Sequence, residues 1–215
     1  MRKFFYIAGG LLFMILLVFG FLSCYFIFRP LPTTEGTIEL AGLSAPVKVF
    51  RDRWGVPHLF AETERDLLFA QGFVQAQDRM WQMEANRRLA AGRLSEMIGE
   101  DALDLDRLLR TLGFLRAAQR EFAAAGPHSR ALLEAFSAGV NAYLQRHRGN
   151  LPLEFRVLGV DPEPWRPVDS LAWGKFMAFM GGKNWQEELV RAMLVHKLGA
   201  DRAAELLIRI GSAAP

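Results

Sequence analysis

TERDLLFAQGFVQAQDRMWQMEANRRLAAGRLSEMIG, residues 63–99, decides the fold. Its first part reads as one long helix. Thr63 is a candidate N-cap, with Asp66 three residues on as a shortened capping box. Phe69, Phe73, Ala76, Met80 and Met83 recur at steps of four and three, so they share a face. A second apolar line, Leu67, Ala70, Val74 and Trp81, widens that face, and a helix apolar nearly all round is a buried helix. Yet this helix carries Gln71, Gln75, Gln77, Asp78, Arg79 and Gln82. Left unpaired, each buried polar group would cost about 1–3 kcal/mol. These groups are therefore expected to pair with each other or with neighbouring elements. Gly92 offers the helix stop.

Upstream, Thr37–Leu40 and Val47–Arg51 read as strands, being β-branched and alternating. Trp54–Gly55 is a turn signal and Val56–Phe60 a further strand. His58 and Asp52 invite a catalytic reading, but a hairpin whose polar residues hold the turn explains them better, because no activated nucleophile stands beside them. Residues 30–36 read as a linker. Residues 1–29 read as a signal anchor, with Arg2 and Lys3 ahead of an uncharged run from Phe4 to Phe28. As a helix that run spans about 38 Å, against about 30 Å for a bilayer core. The positive-inside rule then leaves residues 30–215 facing the periplasm or cell exterior. A cleaved signal peptide is the alternative, and a lipid-modified Cys24 a weaker one.

Downstream, helices are expected at Asp101–Arg110, Gly113–Ala125 and Ser129–Arg148, and an irregular proline-rich stretch at Leu151–Trp165. Asp169 or Ser170 caps a helix over Leu171–Met180. Gly181 and Gly182 interrupt it, and helices follow at Trp185–Leu198 and Asp201–Ile210. The fold class is mostly α with a short N-terminal β-hairpin, preceded by one transmembrane helix.

Composition narrows the function. The 215 residues include 26 basic and 23 acidic ones, for a formal charge of +3. That excess, with no basic run interleaved with aromatics, gives no footprint for nucleic acid. Cys24 stands alone, which excludes an intrachain disulfide and a multi-cysteine zinc site. Four histidines without HExxH argue against a zinc hydrolase.

AQGFVQAQDRMWQMEANRR followed by GRLSEMIG, with RDRWGVPH upstream, resembles the first chain of the penicillin acylase family of N-terminal-nucleophile amidohydrolases. The resemblance runs from about Val47 to about Leu207 and extends to a Trp-x-Pro-x-Asp step at Trp165, Pro167 and Asp169. It implies the α-chain portion, residues 37–215, of an αββα hydrolase whose core is built mainly by a downstream β chain of the same precursor, a zymogen. Residues 71–99 would lie inside that assembly.

The resemblance also implies roles. In the family the nucleophile is the first residue of the second chain, and its own α-amino group is the base. That residue lies beyond Pro215. Gly211–Ser212 resembles a cleavage site only superficially, since Ala213–Ala214–Pro215 follows. The first chain also supplies one calcium-ligating Glu, and the register from Pro167 and Asp169 carries that role to Glu188, with Glu187 as the neighbour. Read from the residues alone, Glu187 and Glu188 are a solvated first helical turn. Glu154, the remaining acid beside the apolar helices, cannot make a site alone, because calcium takes six to eight oxygens. The substrate-binding positions fall on Ala178, Gly181 and Gly182, where well-known members carry Met, Arg and Phe. Losing three side chains would open the acyl pocket to larger groups, of the acyl-homoserine lactone type as well as the β-lactam antibiotic type. The rival reading is a non-catalytic, membrane-tethered helical binding protein.

Overall fold

The computed structural model describes residues 2–25, 31–182 and 185–211. Its elements in chain order are helix α1 (Arg2–Ser23), strands β1 (Lys48–Arg51) and β2 (Pro57–Phe60), helix α2 (Glu64–Ala91), helix α3 (Ser95–Ile98), a 3-10 turn (Glu100–Ala102), and helices α4 (Leu103–Leu112), α5 (Phe114–Ala124), α6 (Pro127–Arg146), α7 (Leu153–Val157), α8 (Pro167–Gly181), α9 (Trp185–Leu198) and α10 (Ala200–Gly211). The chain divides into two units, Met1–Trp173 and Gly174–Pro215, and α8 runs from the first into the second.

Helix α2 begins where its cap stands. The Thr63 hydroxyl accepts from the Asp66 N–H at 3.1 Å. The expected capping box is only half made. The Asp66 carboxylate is fully buried and accepts instead from the Ser44 N–H at 3.0 Å and from the Ser44 hydroxyl. Those bonds hold its pKa below the usual carboxylate range. The helix kinks at Arg79 (φ −141°, ψ 24°), beside Asp78. It ends in a Schellman motif at Gly92 (φ 64°), with Gly92 N–H bonded to Leu89 O at 3.0 Å and Arg93 N–H to Arg88 O at 2.8 Å. A Cβ on Gly92 would stand 2.7 Å from the Asp106 carbonyl oxygen. Gly92→Ala is therefore expected to cost at least about 1 kcal/mol, combining left-handed strain with that clash. A urea-unfolding midpoint checks it.

The core is the α2–α6 pair. Phe73, Val74, Ala76, Met80 and Met83 of α2 meet Val140 and Tyr143 of α6, with Phe155, Val160 and Trp165 closing over them. Phe73 and Tyr143 meet edge to face at 5.9 Å, as do Trp81 and Phe155 at 5.1 Å. Burial pushes the Tyr143 phenol up to about 12. Two glycines let the helices approach this closely. A methyl group on Gly72 would overlap the Phe136 carbonyl oxygen, and one on Gly139 would overlap that of Phe69.

Arginines finish several helices by donating to terminal carbonyls. Arg110 Nε reaches Gly92 O at 2.7 Å, and Arg116 Nη1 reaches Arg110 O at 2.7 Å. Arg130 Nη2 reaches Phe122 O at 3.2 Å.

Several expectations are corrected. Gln71, Gln75, Arg79 and Gln82 are exposed; their steps of four, four and three put them on the side of α2 opposite the core. Only Gln77 and Asp78 pair as expected, Gln77 Nε2 with Thr33 O at 2.9 Å and Asp78 bidentately with Arg51 at 2.8 and 2.9 Å. Thr37–Leu40 is not in a strand, having no ladder partner among the described residues; the one sheet found among them pairs β1 antiparallel with β2. A short helix, α7, forms within the stretch expected to be irregular. α8 starts at Pro167, ahead of Asp169, so Asp169 is not its N-cap. It lies in the first turn and accepts from the Arg166 N–H at 2.8 Å. Lastly, among the described residues no helix is long and apolar enough to cross a membrane. The expected transmembrane helix is therefore unsupported. α1 is described over Arg2–Ser23, and Gly9, Gly10 and Gly20 add little apolar surface to it. Residues 26–30 lie outside the described ones.

In the second unit, α9 and α10 pack together across Gly199 (φ 82°), with Ala203 buried.

Candidate functional site

The core stripe of α2 continues from Met80 and Met83 into charge. Glu84, Arg87 and Arg88 occupy the next inward positions and are buried. Each carboxylate oxygen of Glu84 has an arginine: Arg88 Nε at 2.7 Å on one and Arg87 Nη2 on the other. Such i,i+3 and i,i+4 pairs are available only because helical spacing stacks the side chains. Arg88 continues to Glu96, and Arg93 joins Glu96 at 2.8 Å to Glu163 at 2.5 Å.

Arg87 crosses from α2 to the stretch before α8. Its Nη1 donates to Glu163 O at 3.0 Å and Pro164 O at 3.2 Å and stands 3.7 Å from the buried Asp169 carboxylate. Its guanidinium lies over the Trp165 ring at 5.4 Å. From α6, Asn141 grips Trp165 through both ends of its amide, accepting from Trp165 N–H at 2.7 Å and donating to Trp165 O at 2.9 Å. Trp165 Nε1 then donates to Ser170 Oγ at 2.9 Å. The Trp-x-Pro-x-Asp step is thus held by α2 and α6 together, and it sets where α8 begins.

These pairings set a pH dependence. The Arg93 guanidinium draws the Glu163 carboxyl from an ordinary 4.5 down to about 2, against the opposing effect of burial. Arg93 likewise lowers Glu96. At Asp106 burial pushes upward, but hydrogen bonds from Ser95 and the Leu94 N–H outweigh it and the pKa falls. Folded-state values below the unfolded ones mean that this stability is present above about 4.5 and is lost as pH falls toward about 2. A series of unfolding midpoints is expected to be flat near neutrality and to drop steeply below about pH 4.5, less so for Glu163→Gln.

The positions expected to bind substrate fall in the second unit. Ala178 and Gly181 are in the last turns of α8 and Gly182 follows, with Gly182 N–H bonded to Ala178 O at 3.0 Å. All three are exposed, and a Cβ on Gly181 would meet open space. Glu188 stands in the first turn of α9, 59% exposed and 3.9 Å from Arg191, with Glu187 exposed beside it. Among the described residues no group of three His, Cys, Asp or Glu side chains could hold a metal ion. Glu188 could contribute one carboxylate and no more; the residues present do not make a calcium site by themselves. Glu154 is exposed. Asp52 accepts from the Trp54 and Val56 N–H groups at 2.8 and 3.0 Å and lies 3.4 Å from His58, which is the hairpin-turn reading. Ser212 is outside the described residues.

Sequence reasoning missed Glu84, Arg87 and Arg88. The signal was there: counting three, four and seven on from Met80 gives Met83, Glu84 and Arg87, so charge had entered the core stripe.

Residues 46–214 match the family model described as penicillin amidase. The chain is 43% identical over 176 residues to the penicillin acylase 2 proenzyme of Pseudomonas sp. (strain SE83), which covers 82% of this chain and 22% of that protein. It is 40% identical to the acyl-homoserine lactone acylase QuiP of Pseudomonas aeruginosa, covering 82% and 21%. The thermostable penicillin G acylase from Alcaligenes faecalis has a solved chain that superposes with a TM-score of 0.60 at 28% identity, over 79% of this chain and 95% of that one. The chain spans about a fifth of the length of the curated relatives it matches.

Proposed function

Because the chain belongs to the penicillin amidase family, we propose that it is the N-terminal portion of an acylase precursor that hydrolyses the linear amide of an N-acylated small molecule. The observation that carries this reading is the 43% identity to a proenzyme over 82% of the chain. The nucleophile would be the first residue of a downstream chain, freed by cleavage beyond Pro215. Its α-amino group would take the proton as its side chain attacks the amide carbonyl. Backbone and amide donors would stabilise the oxyanion. The amino group passes that proton to the amide nitrogen, the amine leaves, and water then cleaves the acyl-enzyme ester to release the acid.

This chain would supply the scaffold and one side of the acyl site. The Arg87–Asn141 clamp sets the start of α8, and Ala178, Gly181 and Gly182, with small side chains or none, would leave the acyl side open. Glu188 would add one ligand to a structural calcium held mostly by the downstream chain. Export from the cytoplasm, with Arg2 and Lys3 at the leading end of an apolar helix, belongs to the same reading.

The test is an acyl-chain series on the product of the complete reading frame. We expect kcat/KM for a long acyl chain to exceed that for phenylacetyl by at least about tenfold, since each buried methylene is a substantial increment. A sharp preference for phenylacetyl amides would overturn the open-pocket assignment. An absence of amide hydrolysis across the series would overturn the function.

A further inference from the structure

Residues 37–40 present a contradiction. Their sequence, Thr-Ile-Glu-Leu, is strand-like, and their burial alternates as a strand's does: Thr37 and Glu39 are exposed, while Ile38 and Leu40 are half-buried against the core. Yet they belong to no ladder. Opposite them, β1 is paired on one side only, in a sheet of two strands. Two strands alone are marginally stable, and a free edge is a template for pairing.

A cleft of about 430 Å³ is lined by both segments. One wall includes Thr37, Ile38 and Leu40, and the other the whole of β1. Its floor includes Ala70, Phe73 and Val74 of α2. Both walls are anchored to α2. Gln77 holds Thr33 O at 2.9 Å on one side, and Asp78 holds Arg51 at 2.8 Å on the other. The cleft is therefore held open by paired polar groups, with extended backbone on two sides and an apolar floor.

We propose that this cleft receives an extended segment of the downstream part of the precursor, pairing with β1 on one edge and with residues 37–40 on the other. The inference rests on the reading above, that a longer precursor continues past this chain. The chain's share of its relatives, about a fifth, leaves ample length to supply the segment. Alternate side chains of the incoming strand face the Ala70–Phe73–Val74 floor, and its backbone completes two ladders. The two-stranded hairpin thereby becomes part of a four-stranded sheet.

The test uses the complete protein. Amide hydrogen exchange at residues 37–40 is expected to be slowed at least about a hundredfold relative to an unstructured peptide. A photo-crosslinking benzoylphenylalanine placed at Thr37, and separately at Lys48, is expected to label one and the same downstream peptide. Exchange at 37–40 at the unstructured rate would overturn the proposal. So would crosslinks from position 37 to β1, meaning direct closure of the cleft, or crosslinks to a second copy. Activity is not scored here. A shared downstream crosslink in a protein without amidase activity would defeat the enzyme reading and leave the inserted strand intact.

Discussion

Gly72→Ala is expected to lose about 3 kcal/mol or more of stability, the upper end of what overpacking costs. The reason is geometric. The added Cβ would overlap the Phe136 carbonyl oxygen, stand 3.0 Å from its carbon and lie 3.2 Å from the Val140 nitrogen. These are backbone atoms of α6, so no side chain can rotate away. α2 and α6 would have to move apart, opening the Phe73–Tyr143 contact and the core around it. In a chain of this size such a loss corresponds to a midpoint about 6–12 °C lower. Gly139→Ala is expected to behave alike, because its Cβ meets Phe69 O and would lie 2.9 Å from the Phe73 nitrogen. Gly174→Ala is the control. It sits inside α8 with nothing within 4 Å, so alanine is expected to be neutral or to stabilise by up to about 1 kcal/mol through helix propensity. Thermal unfolding of the three variants side by side checks the set, and equal midpoints would refute the close crossing.

The second large effect is at Arg87. Arg87→Met is expected to cost about 3–5 kcal/mol, because it strands buried carboxylate charge rather than because the intact network is a net stabiliser. One oxygen of Glu84 loses its partner, the Glu163 and Pro164 carbonyls lose their donor, and Asp169 loses the buried cation beside it. Arg166 still reaches Asp169 at 2.8 Å from the exposed side, which keeps the loss from being larger. Glu84→Gln combined with Arg87→Met is expected to lose less than the sum of the two singles, since the charge stranded on Glu84 is gone. Additive losses in urea unfolding would show that the two side chains act independently.

How far these features were legible in the sequence varies with their physical origin. The long helix, its Gly92 stop and its inward face follow from local spacing, and the structure agrees with them. The wet line of Gln71, Gln75, Arg79 and Gln82 was equally periodic but was overruled by the breadth of the apolar surface. Residues 37–40 carry the local preference of a strand but are not in one, because pairing is decided by what lies alongside. The clamp on Trp165 joins residues far apart in the chain, Arg87 and Asn141; helical spacing marks Arg87 as inward-facing, but no local pattern gives what it reaches. The substrate and calcium positions rested on the family resemblance alone, and no local pattern in the residues singles them out.

The most direct measurement is the rate of hydrolysis of a long-chain N-acyl amide, followed in parallel for the matured product of the complete reading frame and for this 215-residue chain alone. The account predicts turnover by the first, with a new N-terminus generated downstream of Pro215, and background hydrolysis by the second. Turnover by the chain alone, or none by the complete protein, would contradict it.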